Sequence, residues 1–267
     1  MPLGDMATLR IHVVYSFFTL AAMFFIYASF GWEENWMIQE SLPETVCEYL
    51  QGDVICTQGD IMMKAYRNAI NTAWNLPVPY IISAELADRR SDILGALRTI
   101  SRETCISFRQ RTTENNYLRF TSARGCGSYV GMTGGEQRLF ISSRCTQGNI
   151  LHEMMHALGF HHEHMRSDRD ESITVAYENI ISGRESNFYK IDGDLQGLPY
   201  DMNSIMHYGP RFFSSNGNAT IVAKNGELIG QRTHLSDLDI KRLQLWYKCD
   251  KANGSLAGPA VAITRDE

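Results

Sequence analysis

Apolar positions fall in two patterns along the chain. One is a single unbroken run, IHVVYSFFTLAAMFFIYASF (11–30), with Arg10 before it and Gly31, Glu33 and Glu34 after it. A short apolar run flanked in this way reads as a secretory signal peptide, with Ser29 and Gly31 as the −3 and −1 residues of the cleavage site. Its length, about 20 residues, would also let it span a bilayer as an uncleaved anchor. In both cases the rest of the chain is exported, and no second run of that length follows.

The other pattern is short and periodic. VPYIIS (78–83) alternates like a strand. Over 88–102, Ile93, Leu94, Leu97 and Ile100 fall on one helical face. Strand-like runs follow at CISFRQR (105–111), NYLRFTS (116–122), GSYVGM (127–132) and RLFIS (138–142), separated by turn residues. CTQGNILHEMMHALGF (145–160) has helical spacing, and Gly159 marks its end. LSDLDIKRLQLWYKC (235–249) is a last amphipathic helix with Ser236 as its N-cap. Residues 32–67 read as a polar connecting region. Gly, Asn and Pro scattered through 183–230 predict long irregular segments, and the tail 250–267 is expected to fray. The sum is an α+β half before residue 162 and a coil-rich half after it. A site between them would lie in a cleft.

Composition narrows the class. With 267 residues, 44% hydrophobic and 21% charged, the chain can bury a core of its own. A net charge of −5 argues against nucleic acid as a main partner, because a phosphate-binding surface would be basic. Six cysteines in an exported chain predict disulfides rather than thiolate metal ligands. Two glycosylation acceptors occur, at Asn218 and Asn253.

The chemistry is concentrated in HEMMHALGFHHEH (152–164). His152 and His156 are four apart on a helix, so both imidazoles can reach one Zn²⁺. Glu153 is rotated about 100° from His152. It is poorly placed as a third ligand but well placed to take a proton from a metal-activated water. The third ligand needs the chain to turn, and Gly159 permits that turn. HExxHxxGxxH then selects His162, leaving His161 and His164 as bystanders.

HExxHxxGxxH resembles the zinc signature of the metzincin endopeptidases. SIMHY (204–208) supplies that clan's methionine turn, with Met206 as its turn residue. HEMMHALGFHHEHMRSDRD (152–170) resembles the astacin family's HExxHxxGxxHExxRxDRD. VPYIIS, TCISF, GCGSYVG, YENI and SIMHYG look like further astacin landmarks, over about residues 59–249. The resemblance implies a two-subdomain metzincin catalytic domain with a twisted, mostly parallel sheet and two long helices in its first half. It implies one catalytic zinc on His152, His156 and His162, with Glu153 as general base and acid. Tyr208 would ligate zinc at rest and hydrogen-bond the oxyanion in the transition state. Glu163 would receive the α-amino group of the mature N-terminus. The implied disulfides are Cys105–Cys249 and Cys126–Cys145, with Cys47 and Cys56 left to pair across a short loop.

The resemblance also implies a zymogen, so that behind the signal peptide or anchor at 1–31 come a propeptide at 32–67, a catalytic domain at 68–249 and the short tail at 250–267. Asp60 of Gly59-Asp60-Ile61 would cap the zinc until a trypsin-like protease cuts after Arg67. Gly52-Asp53 is a second, less well-placed motif. Here the chain departs from the family, with Thr57-Gln58 where an aromatic or apolar residue usually stands. The absence of further modules after Cys249 looks like the hatching-enzyme-like members, which digest egg envelopes. The expected protein is a secreted, monomeric zinc endopeptidase acting on egg-envelope or extracellular-matrix proteins, with no stable membrane association once the signal is cleaved. The alternatives are a membrane-anchored ectodomain protease and an inactive relative used for binding. The latter would be marked by loss of Glu153 or of a zinc histidine, and none is lost.

Overall fold

The alternation of VPYIIS becomes the strand β3 (Val78–Ile82) of a four-stranded sheet. The computed structural model describes residues 54–57, 59–64 and 73–249. The signal or anchor segment, Cys47, the Gly52-Asp53 motif, the cleavage site after Arg67, Asn253 and the tail lie outside the described residues. Strand β4 is Phe108–Gln110, β5 is Tyr117–Ser122 and β7 is Glu136–Ile141. The sheet order is β4-β3-β5-β7, and every pairing in it is parallel.

Two helices share a core with this sheet. Helix α1 (Arg90–Glu103) buries Ile93, Ala96, Leu97 and Ile100. Helix α2 (Gln147–Ala157) is buried along nearly all its length, from Gly148 to Ala157. A helix enclosed on all sides must satisfy whatever polar groups it carries from within the protein. Its start is fixed by a capping box: Thr146 Oγ1 accepts the Asn149 amide at 3.2 Å, and Asn149 Oδ1 accepts the Thr146 amide at 2.9 Å. A Cβ on Gly148 would sit 1.7 Å from the carbonyl oxygen of Arg232, so only glycine lets the C-terminal half pack this closely on α2.

Several boundaries differ from expectation. The helix expected over 88–102 starts at 90, after a 3-10 turn at Ala84–Arg89. GSYVGM yields only the short strand β6 (Ser128–Tyr129), since Gly131 turns the chain at φ 68°. The largest correction concerns 32–67. Within that supposed polar connection, β1 (Val54–Thr57) and β2 (Ile61–Lys64) form an antiparallel hairpin, and β2 pairs in parallel with β6. The polar residues that suggested a loop include the hairpin's own turn, where Gly59 takes a φ of 78°.

After residue 162 the chain is mostly irregular, punctuated by short 3-10 turns. It also forms the antiparallel pair β8 (Ile173–Val175) and β9 (Ile221–Ala223). It ends in α3 (Asp237–Trp246), capped by Ser236 as expected. Disulfides join Cys105 to Cys249 and Cys126 to Cys145. The first ties α3 to the first half across a sequence separation of 144 residues. Among the described residues, no helix is long and apolar enough to cross a membrane.

Candidate metal centre

His152 and His156 lie on successive turns of α2 with ring centroids 4.7 Å apart. Gly159 takes a φ of 118°, a conformation side chains resist, and the chain leaves the helix there. His162 follows the turn and comes back, so that its ring centroid is 4.6 Å from that of His156. All three are buried.

A fourth group enters from the hairpin turn. The Asp60 carboxylate is fully buried, with Oδ2 3.0 Å from Nε2 of His152. Its Oδ1 is 3.1 Å from Nε2 of His162 and 3.5 Å from Nε2 of His156. The Nε2 atoms of His156 and His162 are 3.2 Å apart, and all four donor atoms lie within 4.8 Å of one another. Donors at the usual zinc bond length define tetrahedral edges of about 3.3 Å.

The outer nitrogens fix the chemistry of the inner ones. Nδ1 of His152 donates to the carbonyl of Ile205 at 2.7 Å. Nδ1 of His156 donates to the carbonyl of Phe160, also at 2.7 Å. With the outer nitrogen donating, Nε2 of each ring is the atom left to face the metal position. Burial pushes His162 down to about 3 and lowers His156, so both are neutral at ordinary pH. Oδ1 of Asp60 is buried without a hydrogen-bond donor. Lone pairs and a carboxylate converging at this spacing repel one another unless a cation lies between them. Three imidazoles and one carboxylate converging within 4.8 Å of one another suit Zn²⁺.

Glu153 is fully buried beside His152 and stands outside the ligand cluster. Tyr208 is 1% exposed, with its ring 4.5 Å from that of His162. Met206 is buried beneath, and its carbonyl accepts the Glu163 amide at 3.0 Å. The SIMHY turn thus braces the site twice, through the Ile205 carbonyl on His152 and the Met206 carbonyl just after His162.

His161 and His164 are not in the ligand cluster. His164 is nevertheless more than a surface residue beside an extended strand. Residues Glu163–Met165 form a 3-10 turn that carries its ring into the core. There it stacks on Tyr208 at 4.0 Å, with Nε2 2.9 Å from the Asn187 carbonyl.

Glu163 is fully buried and already paired. Arg242 Nη1 donates to its Oε2 at 2.6 Å, Arg166 Nη1 to its Oε1 at 3.2 Å, and the Asp201 amide to Oε1 at 2.9 Å. It borders a cavity of about 180 Å³ lined also by Gly159, Phe160, Ile191 and Trp246. Arg242 and Asp239, both on α3, are the parts that sequence reasoning missed. Asp239 accepts Ser204 Oγ at 2.6 Å and the Ile205 amide at 2.8 Å. The helical pattern of 235–249 was visible, but nothing local to it reveals partners some 35 and 79 residues away. Asn218 is exposed, as a glycan acceptor must be.

Comparison with known proteins agrees with this geometry. The family model for Astacin, a family of peptidases, matches residues 66–248. Zinc metalloproteinase nas-4 of Caenorhabditis elegans is 36% identical over 228 residues, covering 79% of this chain and 72% of that protein. Blastula protease 10 of Paracentrotus lividus is 43% identical over 188 residues, covering 65% of this chain but only 32% of its own length. Among solved structures, high choriolytic enzyme 1, a hatching enzyme zinc-protease from the medaka fish Oryzias latipes, aligns with a TM-score of 0.64 at 39% identity. That alignment covers 66% of this chain and 94% of the other. The α+β fold, the three-histidine zinc cradle and the family match over most of the described residues agree, and the chain belongs to the astacin family of zinc metalloproteases.

Proposed function

We propose that the protein is a secreted zinc endopeptidase made as a latent zymogen, and that the described hairpin is its inhibitory segment. The observation that carries this reading is the Asp60 carboxylate, which lies against the three histidines and would be a fourth ligand to a zinc held there. The main chain reinforces it: the Asp60 carbonyl accepts the Ser128 amide at 3.1 Å, and β2 occupies the edge of β6. Met62, 2% exposed, packs with Tyr129 and Phe140. With Asp60 in place there is no room for a water at the fourth position, so the precursor is silent.

Removing the segment would free that position. Zinc, when bound, lowers the pKa of a water and polarises the scissile carbonyl. Glu153 takes the proton from the attacking water as the new C–O bond forms. It returns a proton to the leaving amine nitrogen as the C–N bond breaks. Tyr208 donates its phenol hydrogen to the oxyanion, where charge develops only in the transition state.

Glu163 is read as the socket for the new N-terminus. Trp74 supports this, because its Nε1 donates to the Ala157 carbonyl at 2.8 Å and so anchors the chain at the end of α2. Gly159 and Trp246, which line the Glu163 cavity, lie close by. A chain starting at Asn68 has six residues before Trp74, a reach of about 20 Å. The likeness to a hatching enzyme supports egg-envelope or extracellular-matrix proteins as substrates.

The test is activation of the secreted precursor with trypsin, read by N-terminal sequencing and cleavage of a peptide library. A new terminus at Asn68 that appears together with activity is the expected result. Full activity in the uncut precursor, or activity that appears with 54–64 still attached, would overturn the zymogen reading.

A further inference from the structure

Tyr208 is held both through its ring and through its backbone carbonyl. Its ring is sandwiched between His164, at 4.0 Å and 24°, and Phe212, at 4.6 Å and 24°. The sandwich fixes the plane of the ring. How far the phenol reaches along that plane depends on the backbone at 207–208.

That backbone is gripped by the side chain before it. His207 Nδ1 donates to the carbonyl of Tyr208 at 2.7 Å, and the ring is fully buried. A neutral imidazole that donates from Nδ1 must accept at Nε2. The acceptor is used, because the Tyr200 hydroxyl donates to it at 2.7 Å. Burial keeps His207 neutral by pushing it down to about 4.

Tyr200 is itself moored to the Glu163 cluster. The Arg166 guanidinium lies 5.6 Å from its ring centroid. Arg166 also donates to the carbonyls of Leu198 and Pro199, at 2.9 and 3.1 Å. The next residue, Asp201, gives its amide to Glu163. A continuous series of contacts therefore runs from Glu163 and Arg166 through Tyr200 and His207 to the Tyr208 peptide.

We propose that Tyr200, acting through His207, is the positioning residue that sets the reach of the Tyr208 phenol and ties it to the state of Glu163. The inference rests on the reading of Tyr208 as the oxyanion donor. Tyr200 lies outside the ligand cluster. Its hydrogen bond holds His207, and His207 holds the peptide from which Tyr208 extends. Losing the bond leaves the ring sandwich intact but lets the phenol drift, so the effect falls on the transition state rather than on substrate binding.

The experiment is a double-mutant cycle on the enzyme secreted as the full precursor and activated with trypsin. Tyr200→Phe keeps the ring and removes only the hydroxyl. It should lower kcat about ten-fold, with KM within about two-fold and zinc content unchanged. In a Tyr208→Phe background it should cost nothing further. His207→Asn shortens the link from the other side, so it should give the same kcat loss and add none on top of Tyr200→Phe. It serves as the readout if Tyr200→Phe folds poorly. A Tyr200→Phe enzyme with unchanged kcat, or one that loses as much in the Tyr208→Phe background as in the native one, overturns the inference while leaving Tyr208's own role standing. A Tyr208→Phe enzyme with native kcat refutes the oxyanion reading and this inference with it.

Discussion

The carboxylate of Asp239, in the first turn of α3, takes the amide of Ile205 at 2.8 Å, and the carbonyl of the same Ile205 takes Nδ1 of His152 at 2.7 Å. One residue thus links α3 to the first histidine of the candidate metal centre. Asp239 also accepts Ser204 Oγ at 2.6 Å and the Ser236 amide at 3.0 Å. Asp239→Ala would leave three buried donors without this acceptor and remove half of the helix cap. The expected cost is about 2–4 kcal/mol of stability and a roughly 10–100-fold loss of zinc affinity. Asp239→Asn retains one oxygen acceptor and should fall between the two. Zinc competition with a chelator, alongside thermal unfolding, gives the order. Native zinc retention in the alanine variant would remove Asp239 from the support of His152.

Glu153 is tested by separating metal binding from turnover. It is buried but lies outside the ligand cluster, so Glu153→Gln should hold a full equivalent of zinc. Peptidase activity should fall by at least about 10²–10⁴, the usual worth of a general base. Substantial turnover in a zinc-loaded Glu153→Gln enzyme would assign the proton transfer elsewhere.

What could be read from the chain beforehand divides along physical lines. The zinc histidines were legible because their spacing is local: one helical turn, then a glycine, then a return within six residues. The strands of the sheet and both of its helices were legible from periodicity, while their parallel order came only with the family resemblance; strand ends such as GSYVGM were not legible, since turns cut them short. The hairpin at 54–64 was misread because a two-stranded element with polar residues at its turn looks like a loop until its partner strand is known. Partners of Glu163 and Ile205 on α3 were invisible for a related reason. They meet only after the chain has closed on itself, and a buried ion pair leaves no periodic trace.

Arg242 shows what that closure contributes. Its guanidinium meets the fully buried Glu163 at 2.6 Å, with its own side chain 10% exposed. Arg242→Ala would leave Glu163 to Arg166 and the Asp201 amide. Breaking a buried pair from one side costs about 3 kcal/mol. Chemical denaturation of the uncut precursor should show that loss. Arg242→Lys should recover only part of it, because an ammonium cannot match the two-nitrogen contact with both carboxylate oxygens. Equal stability of all three forms would mean that the pair contributes nothing to the folded precursor.

Latency can be divided between its metal contact and its packing. Asp60→Ala removes the carboxylate from the three histidines but leaves β2 on the edge of β6. Met62→Asp does the reverse: the carboxylate stays, but a charge is forced into the apolar contact with Tyr129 and Phe140. If Asp60 is the blocking ligand, the uncut Asp60→Ala precursor should cleave peptides measurably, at a rate below that of the trypsin-activated enzyme because the hairpin still covers the cleft. The uncut Met62→Asp precursor should leak less, since the carboxylate can still return to the metal each time the loosened strand closes. The double variant should come closest to the activated rate. All three are read in one assay on secreted, uncut protein, with the intact chain confirmed by mass. A silent Asp60→Ala precursor beside a leaking Met62→Asp one would place latency in strand pairing and packing rather than in the carboxylate at the zinc site.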